Sequence, residues 1–357
     1  MIFASSSYAV PETLEIIART LKPKRLVGTS TGGLLLSHGV ANRGIAIVGI
    51  NSDDLRFGIS GIADIGSRDM HATGFDLARQ AMLDLRSPQR EVFIQFSQGI
   101  EQDATKFIRG VREVLGIGFP VLGAISSDDF KYKRLYQFYQ NQILQNSSVG
   151  LLLGGSFHLA LGCKHGFKPL GKPRFITKID GPIIHTIDNK PAIEIYQHFL
   201  GEDAQGLKNA ALNSYATMYP LGIYMEEDRE YLLRNVIDIL QDGSIVCHGG
   251  IPEGAEVHLM ISNKDSCQNS AMEAAEIVKA SLGDKQARLV LIFESLARHK
   301  ILGNFAFSEI QAIKNVLGYT TPLVGMCSYG EVGPFGNLNN IKNIHLHNEN
   351  ILIVAIA

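Results

Sequence analysis

The chain repeats itself, and the repeat limits the folds open to it. Val114, Leu115, Gly116, Pro120, Gly123 and Ser126 recur as Val316, Leu317, Gly318, Pro322, Gly325 and Ser328, every pair displaced by 202 positions. The same displacement carries the apolar run 149–153 onto 351–355. Upstream it shortens to 197, which sets the helical-looking stretch 70–85 against 267–282 and the apolar run 92–96 against 289–293. Matches that hold one spacing through several elements mark a duplication, in which one supersecondary unit is used more than once.

Each copy reads as strand, helix, strand. Phe107, Val111, Val114 and Leu115 recur at helical spacing with Lys106, Arg109, Arg112 and Glu113 on the other face, and Gly116 is a natural stop. Ile310, Ile313, Val316 and Leu317 form the second stripe, with Ser308 as the expected N-cap, Gly318 as the stop, and Pro120 and Pro322 opening the next strands. A shorter third version starts the chain: Ile2 to Ala4, a helix begun by Pro11 and running to Leu21, then Leu26, Val27 and Gly28. Strand–helix–strand with parallel strands is the βαβ unit. The expected class is therefore α/β, with two domains related by internal duplication and mixed sheets of βαβ units with appended hairpins. One such hairpin is expected across 345–351, and another around Asp242 and Gly243. The Gly- and Pro-rich stretch 156–201 holds the expected boundary between domains 1–188 and 189–357, with a short helix over 191–200.

Thirty-three Lys and Arg against 35 Asp and Glu leave a formal charge of −2, so no basic face for nucleic acid is implied. Cys163, Cys247, Cys267 and Cys327 form no CxxC pair and are expected to be buried thiols. The N-terminus lacks a secretory pattern and no apolar run reaches roughly 18 residues, so a cytoplasmic protein without a membrane span is expected.

Small-molecule sites in α/β sheets lie beyond the carboxyl ends of parallel strands. Hydroxyls, glycines and acids cluster there in this chain: Thr29, Ser30 and Thr31 in the first unit, Ser126 and Asp128 in the second, Ser295, Ser328, Tyr329 and Glu331 in the third. Hydroxyls both donate and accept, which suits a small polar ligand. Arg234 and Arg298 offer planar forks for a carboxylate or phosphate, although either can equally pair with a neighbouring acid, Glu331 among them.

Gly28, Thr29, Ser30, Thr31 and Gly32 also satisfy G-x-S-x-G after an apolar strand, so the alternative is a serine hydrolase using Ser30. That pattern needs a helix immediately after the turn, whereas 33–39 is short, apolar and broken by glycine. There is no P-loop, no G-x-G-x-x-G and no H-E-x-x-H. A second alternative is a partner-binding protein that takes no ligand.

These residues resemble the FIST family, with its paired FIST N and FIST C domains. The likeness rests on the run 26–32, on Pro120 to Gly123, on 165–171, on 191–196, on Leu233, Arg234 and Asn235, on Arg298 with Leu302 and Gly303, and on 325–331. The resemblance implies a non-catalytic intracellular sensor of small ligands, amino acids or their derivatives among them. Because both ends of the chain are taken up by the fold, output through a partner such as a histidine kinase is expected. Stand-alone members of the family include haem-binding nitric-oxide sensors, which makes haem the cofactor that the resemblance implies. No histidine is marked by its spacing as an iron ligand.

Overall fold

The computed structural model describes residues 1–100, 103–128, 130–200 and 218–357. The shortest unit comes first: β1 (Ile2–Ala4), α1 (Pro11–Leu21), β2 (Val27–Ser30), β3 (Leu34–Leu36), β4 (Gly39–Ala41) and β5 (Ile45–Ile47). Pro11 suits the first helical turn, where its missing N–H loses no bond, and Lys22 in the left-handed region (φ 45°) ends the helix. Unit two places a strand and a long helix in front: β6 (Leu55–Ile62) and α2 (Met70–Leu85), then β7 (Val92–Ser97), α3 (Ala104–Leu115), β8 (Val121–Ile125), β9 (Gln137–Tyr139), β10 (Gln142–Leu144) and β11 (Ser148–Gly155).

Unit three opens in the same way with β12 (Leu159–Lys164) but carries an insertion before its long helix. The insertion comprises β13 (Lys168–Asp180), β14 (Ile183–Ile187), β15 (Lys190–Pro191), α4 (Glu194–Leu200), β16 (Leu221–Met225), β17 (Glu230–Arg234), β18 (Val236–Ile239), β19 (Ile245–Cys247) and β20 (Glu256–Ile261). The unit resumes with α5 (Lys264–Leu282), β21 (Leu289–Ser295), α6 (Leu296–Leu302), α7 (Ala306–Leu317), β22 (Leu323–Ser328), β23 (Gly330–Pro334), β24 (Ile344–His347) and β25 (Ile351–Ile356).

In every unit the two repeated strands are parallel neighbours: β1 with β2, β7 with β8, β21 with β22. A return strand lies antiparallel on the far side, β5, β11 and β25 respectively. The units are then knitted by exchange. β3 and β4 leave unit one to extend β22, β9 and β10 leave unit two to extend β2, and β23 and β24 leave unit three to extend β8. Each sheet therefore needs strands from another unit, which binds the three into one structure.

The centre of this arrangement is apolar. Phe3, Phe96 and Phe293, from β1, β7 and β21, the first of the two parallel strands in each unit, meet edge-on with ring centroids 5.6, 6.4 and 5.8 Å apart, and none is exposed. The long helices are capped by side chains. Asp69 accepts from Ala72 N–H and Asn263 from Ser266 N–H, both at 2.8 Å. α2 crosses α3 closely enough that a Cβ at Gly74 would lie 2.1 Å from Phe107 O. Gly116 and Gly318 end α3 and α7 with φ of 109° and 101°, as the repeat suggests.

Two expectations need correction. Ser308 is not an N-cap: α7 starts at Ala306, directly after a 3-10 turn, and Ser308 Oγ donates to Phe305 O at 2.7 Å. Nor is 345–351 a hairpin. β24 pairs with β23 in one sheet and β25 with β21 and β12 in another, so Asn348, Glu349 and Asn350 cross between sheets; the appended hairpin lies one connection earlier, at β23–β24.

The insertion forms one eight-stranded sheet in the order β17-β16-β20-β13-β14-β19-β18, with β15 on β14. Its β18–β19 hairpin turns at Asp242 and Gly243, as the sequence suggests. Position 188 falls between β14 and β15, which pair with each other. All four cysteines are buried free thiols, and among the described residues no helix is long and apolar enough to cross a membrane.

Candidate functional site

The carboxyl ends of β2, β8 and β22 converge. Ser127 N–H donates to Ser30 O, Cys327 N–H to Gly33 O and Tyr329 N–H to Ile125 O, so each unit's strand end is bonded to another unit. The hydroxyls follow the same pattern. Thr29 Oγ1 lies 2.7 Å from Ser126 Oγ, and Thr31 Oγ1 lies 2.7 Å from Cys327 O. Ser30 Oγ donates to Ser127 O at 3.2 Å and accepts from Tyr136 N–H at 3.0 Å, while Gln137 Nε2 donates to Ser126 Oγ. Thr29, Ser30, Thr31 and Ser126 are thus buried in the junction between units, with their polar groups used inside the protein. β3, a strand, follows Ser30, where a nucleophile elbow needs a helix.

One step outward, at the ends of β21 and β22, a cavity of about 290 Å³ opens. Ser295, Ala297, Ser328 and Tyr329 of unit three form one side, Phe130 and Tyr132 of unit two another, and Asn235, Val236, Ile237 and His248 of the insertion close it. Three separate parts of the chain therefore meet there. Of the residues singled out from sequence, Ser295, Ser328 and Tyr329 line the cavity. The aromatic pair after Asp128 and the contribution of the insertion were not foreseen, except that Asn235 lies in the Leu233–Asn235 motif.

Asp128 builds the aromatic wall. Its carboxylate accepts the backbone N–H groups of Lys131, Tyr132, Lys133 and Arg134 at 2.8 to 3.2 Å, and Tyr329 Oη donates to it at 2.6 Å. Phe130 and Tyr132 are held in left-handed conformations (φ 59° and 52°), which bulky residues seldom adopt without such support. Tyr132 then stacks on Tyr329 with centroids 4.1 Å apart and planes 10° from parallel. Burial alone would raise the Asp128 carboxyl, but the Tyr329 hydroxyl and the backbone donors outweigh it and hold it below the usual carboxylate range.

Two buried acids lie behind the lining residue Ser328. Ser328 Oγ donates to Glu331, whose carboxyl is pushed well above its ordinary range by burial, with the Ser328 hydrogen bond opposing and the nearby Glu349 reinforcing. Burial pushes Glu349 itself up to about 8, against the smaller opposing influences of Asn235 and Arg298. Asn348 Oδ1 accepts Asn235 N–H at 3.1 Å, which fixes the amide so that Nδ2 donates to His248 Nδ1 at 3.2 Å. The His248 proton therefore sits on Nε2.

Neither arginine is available to a ligand. Arg234 is buried beside the cavity and donates to Leu233 O, Leu346 O and Gly250 O, and burial lowers it to about 10. Arg298 is fully buried, donates to His165 O, Ser270 Oγ and Cys267 O, and pairs with Glu309, the acid that takes the part Glu331 was expected to offer. A haem does not fit the cavity. The volume lies at the bottom of the roughly 300–1,000 Å³ range of drug-sized ligands, the lining includes the polar side chains of Ser295, Ser328 and Asn235, and the histidine that lines it is tied to Asn348.

The family model for the FIST N domain matches residues 1–190, and that for the FIST C domain matches 192–334. An uncharacterized protein of Methanocaldococcus jannaschii is 23% identical over 239 residues, 64% of this chain and 44% of its own. An uncharacterized protein of Mycobacterium tuberculosis is 22% identical over 229 residues, 62% of this chain and 58% of its own. The chain spans about half the length of the curated relatives it matches. With both domain models matched in order across nearly its full length, the chain belongs to the FIST family, a family of sensory domains in signal transduction.

Proposed function

We infer that the protein is a sensor whose ligand, a polar molecule of about amino-acid size, occupies the cavity at the ends of β21 and β22. The observation that carries this reading is the convergence of Ser295 and Ser328, the Tyr132–Tyr329 stack, and Asn235 and His248 from the inserted sheet on one cavity of about 290 Å³. Hydroxyl, amide and imidazole groups orient a polar ligand while the stacked rings cover its apolar part. Because the insertion closes the cavity, a bound ligand favours one placement of that sheet over others, and a partner protein reads the difference. Signalling then needs no chemistry on the ligand.

Thermal unfolding in the presence of the free amino acids and small polar metabolites tests the proposal. A ligand that binds only the folded state at a hundred times its Kd adds about 2.7 kcal/mol. At least one compound is expected to raise Tm in the natural protein and to lose that effect in Ser295→Leu, which fills the cavity. A compound that stabilises both proteins equally, or a screen in which none stabilises, argues against the site.

A further inference from the structure

Behind the cavity, on the other face of the same two strands, lies a second group of residues. β21 and β22 run in register with Ser295 opposite Ser328 and Glu294 opposite Cys327, and alternation along a strand sends the two pairs to opposite faces. Ser295 and Ser328 line the cavity. Glu294 and Cys327 meet His299 from α6, and one donor atom of each of the three lies within 4.8 Å of the other two. Glu294 and Cys327 are fully buried, and the His299 side chain is 13% exposed, which leaves an approach from solvent.

The unpaired atoms in this group point to a cation. His299 Nδ1, 3.9 Å from Glu294 Oε2, has no hydrogen-bond partner, and among the described residues no N–H or hydroxyl donor reaches either carboxyl oxygen of Glu294, which shares a hydrogen bond with the neighbouring buried carboxyl of Glu309. Buried polar atoms are nearly always satisfied, so several unsatisfied ones in one place need an explanation. The Nη groups of the nearby Arg298 are already bonded to Glu309 and three further oxygens, which leaves its Nε as one more unpaired atom rather than a partner for Glu294 or His299. The far ring nitrogen of His299, Nε2, lies 3.4 Å from Asn42 Oδ1, the kind of contact that orients a metal-ligating imidazole through its other N–H. Gly33 keeps the space beside the thiol open, since a Cβ there would sit 2.8 Å from Cys327 Sγ.

We propose that Glu294, His299 and Cys327 form a binding site for a divalent transition-metal cation of the zinc class. Carboxylate oxygen, imidazole nitrogen and thiolate sulfur are the donors zinc takes, and a thiolate disfavours magnesium or calcium. Three protein donors leave one tetrahedral position for water. Since the donors share β21 and β22 with Ser295 and Ser328, the cation fastens together the two strands that carry one wall of the cavity.

Cobalt(II) is the probe, because a thiolate ligand gives it a near-ultraviolet charge-transfer band and tetrahedral coordination gives it strong visible bands. Titration of the full, reduced chain is expected to show one equivalent bound with both features, displaced by zinc(II). Cys327→Ser is expected to abolish the charge-transfer band, and His299→Gln and Asn42→Ala to weaken cobalt binding by at least tenfold. The latter two side chains lie toward the surface, so they keep the test alive if Cys327→Ser fails to fold. A titration without the charge-transfer band, or a band that survives both Cys327→Ser and His299→Gln, overturns the proposal.

Discussion

Tyr329 Oη donates to Asp128 Oδ1 at 2.6 Å, and this bond ties the end of β22 in unit three to the loop after β8 in unit two. The same carboxylate collects four backbone N–H groups of that loop. Hydrogen bonds to charged groups contribute about 1.5–3 kcal/mol each, and neighbouring ones do not add fully. Asp128→Ala is therefore expected to cost about 3 kcal/mol in chemical denaturation and to loosen the Tyr132–Tyr329 stack. Because the folded-state carboxyl is held below its ordinary value, its contribution is complete above that ordinary value and is lost as pH falls through the folded-state one. Asp128→Asn should flatten the acid limb of a Tm-against-pH curve; an unchanged limb would show that the carboxylate does not organise the loop.

Glu349 gives the opposite sign. Its folded-state value of about 8 exceeds that of an unfolded glutamate, so the folded chain binds the proton more tightly and stability falls as pH rises from about 4.5 through 8. Glu349→Gln mimics the protonated form. It is expected to raise Tm at pH 9 and to change it little at pH 5, measured by calorimetry across that range. An equal change at both pH values would mean that Glu349 is ionised in the folded protein throughout.

The three-ring centre predicts that the units cannot be loosened one at a time. Phe96 is fully buried and contacts both Phe3 and Phe293 edge-on. Phe96→Ala is expected to cost about 3–5 kcal/mol and to lower Tm in a single transition, since strands are exchanged between all three sheets. Separate transitions for unit two and the rest would contradict the exchange.

The duplication was legible because it lies in short-range pattern: the stripe ending at Val114 and Leu115, the stop at Gly116 and the strand after Pro120 all reappear in unit three and all form as expected. What a strand pairs with is not written in its own residues. β3, β9 and β23 are short runs after a turn, and nothing local says that each joins another unit's sheet. The same limit explains 345–351, where turn formers suggested a hairpin but the buried Asn348 and Glu349 mark a crossing between sheets. At the site, the strand-end rule located Ser295 and Ser328. It also gathered Thr29, Ser30, Thr31 and Ser126, which have the same residue types but face the junction between units. Arg298 shows the ambiguity of a lone charge, because its partner Glu309 lies on α7, a different element. Phe130 and Tyr132 carry no periodic signal, and their role emerges only once Asp128 has folded the loop around them.

A crystal structure grown with the compound that most stabilises the protein tests the central claim most directly. The account expects new density between Ser295, Ser328 and Asn235, with the Tyr132–Tyr329 stack against it. Density only elsewhere, such as in the surface groove lined by Met1, Leu21, Ile47 and Phe57, would contradict it.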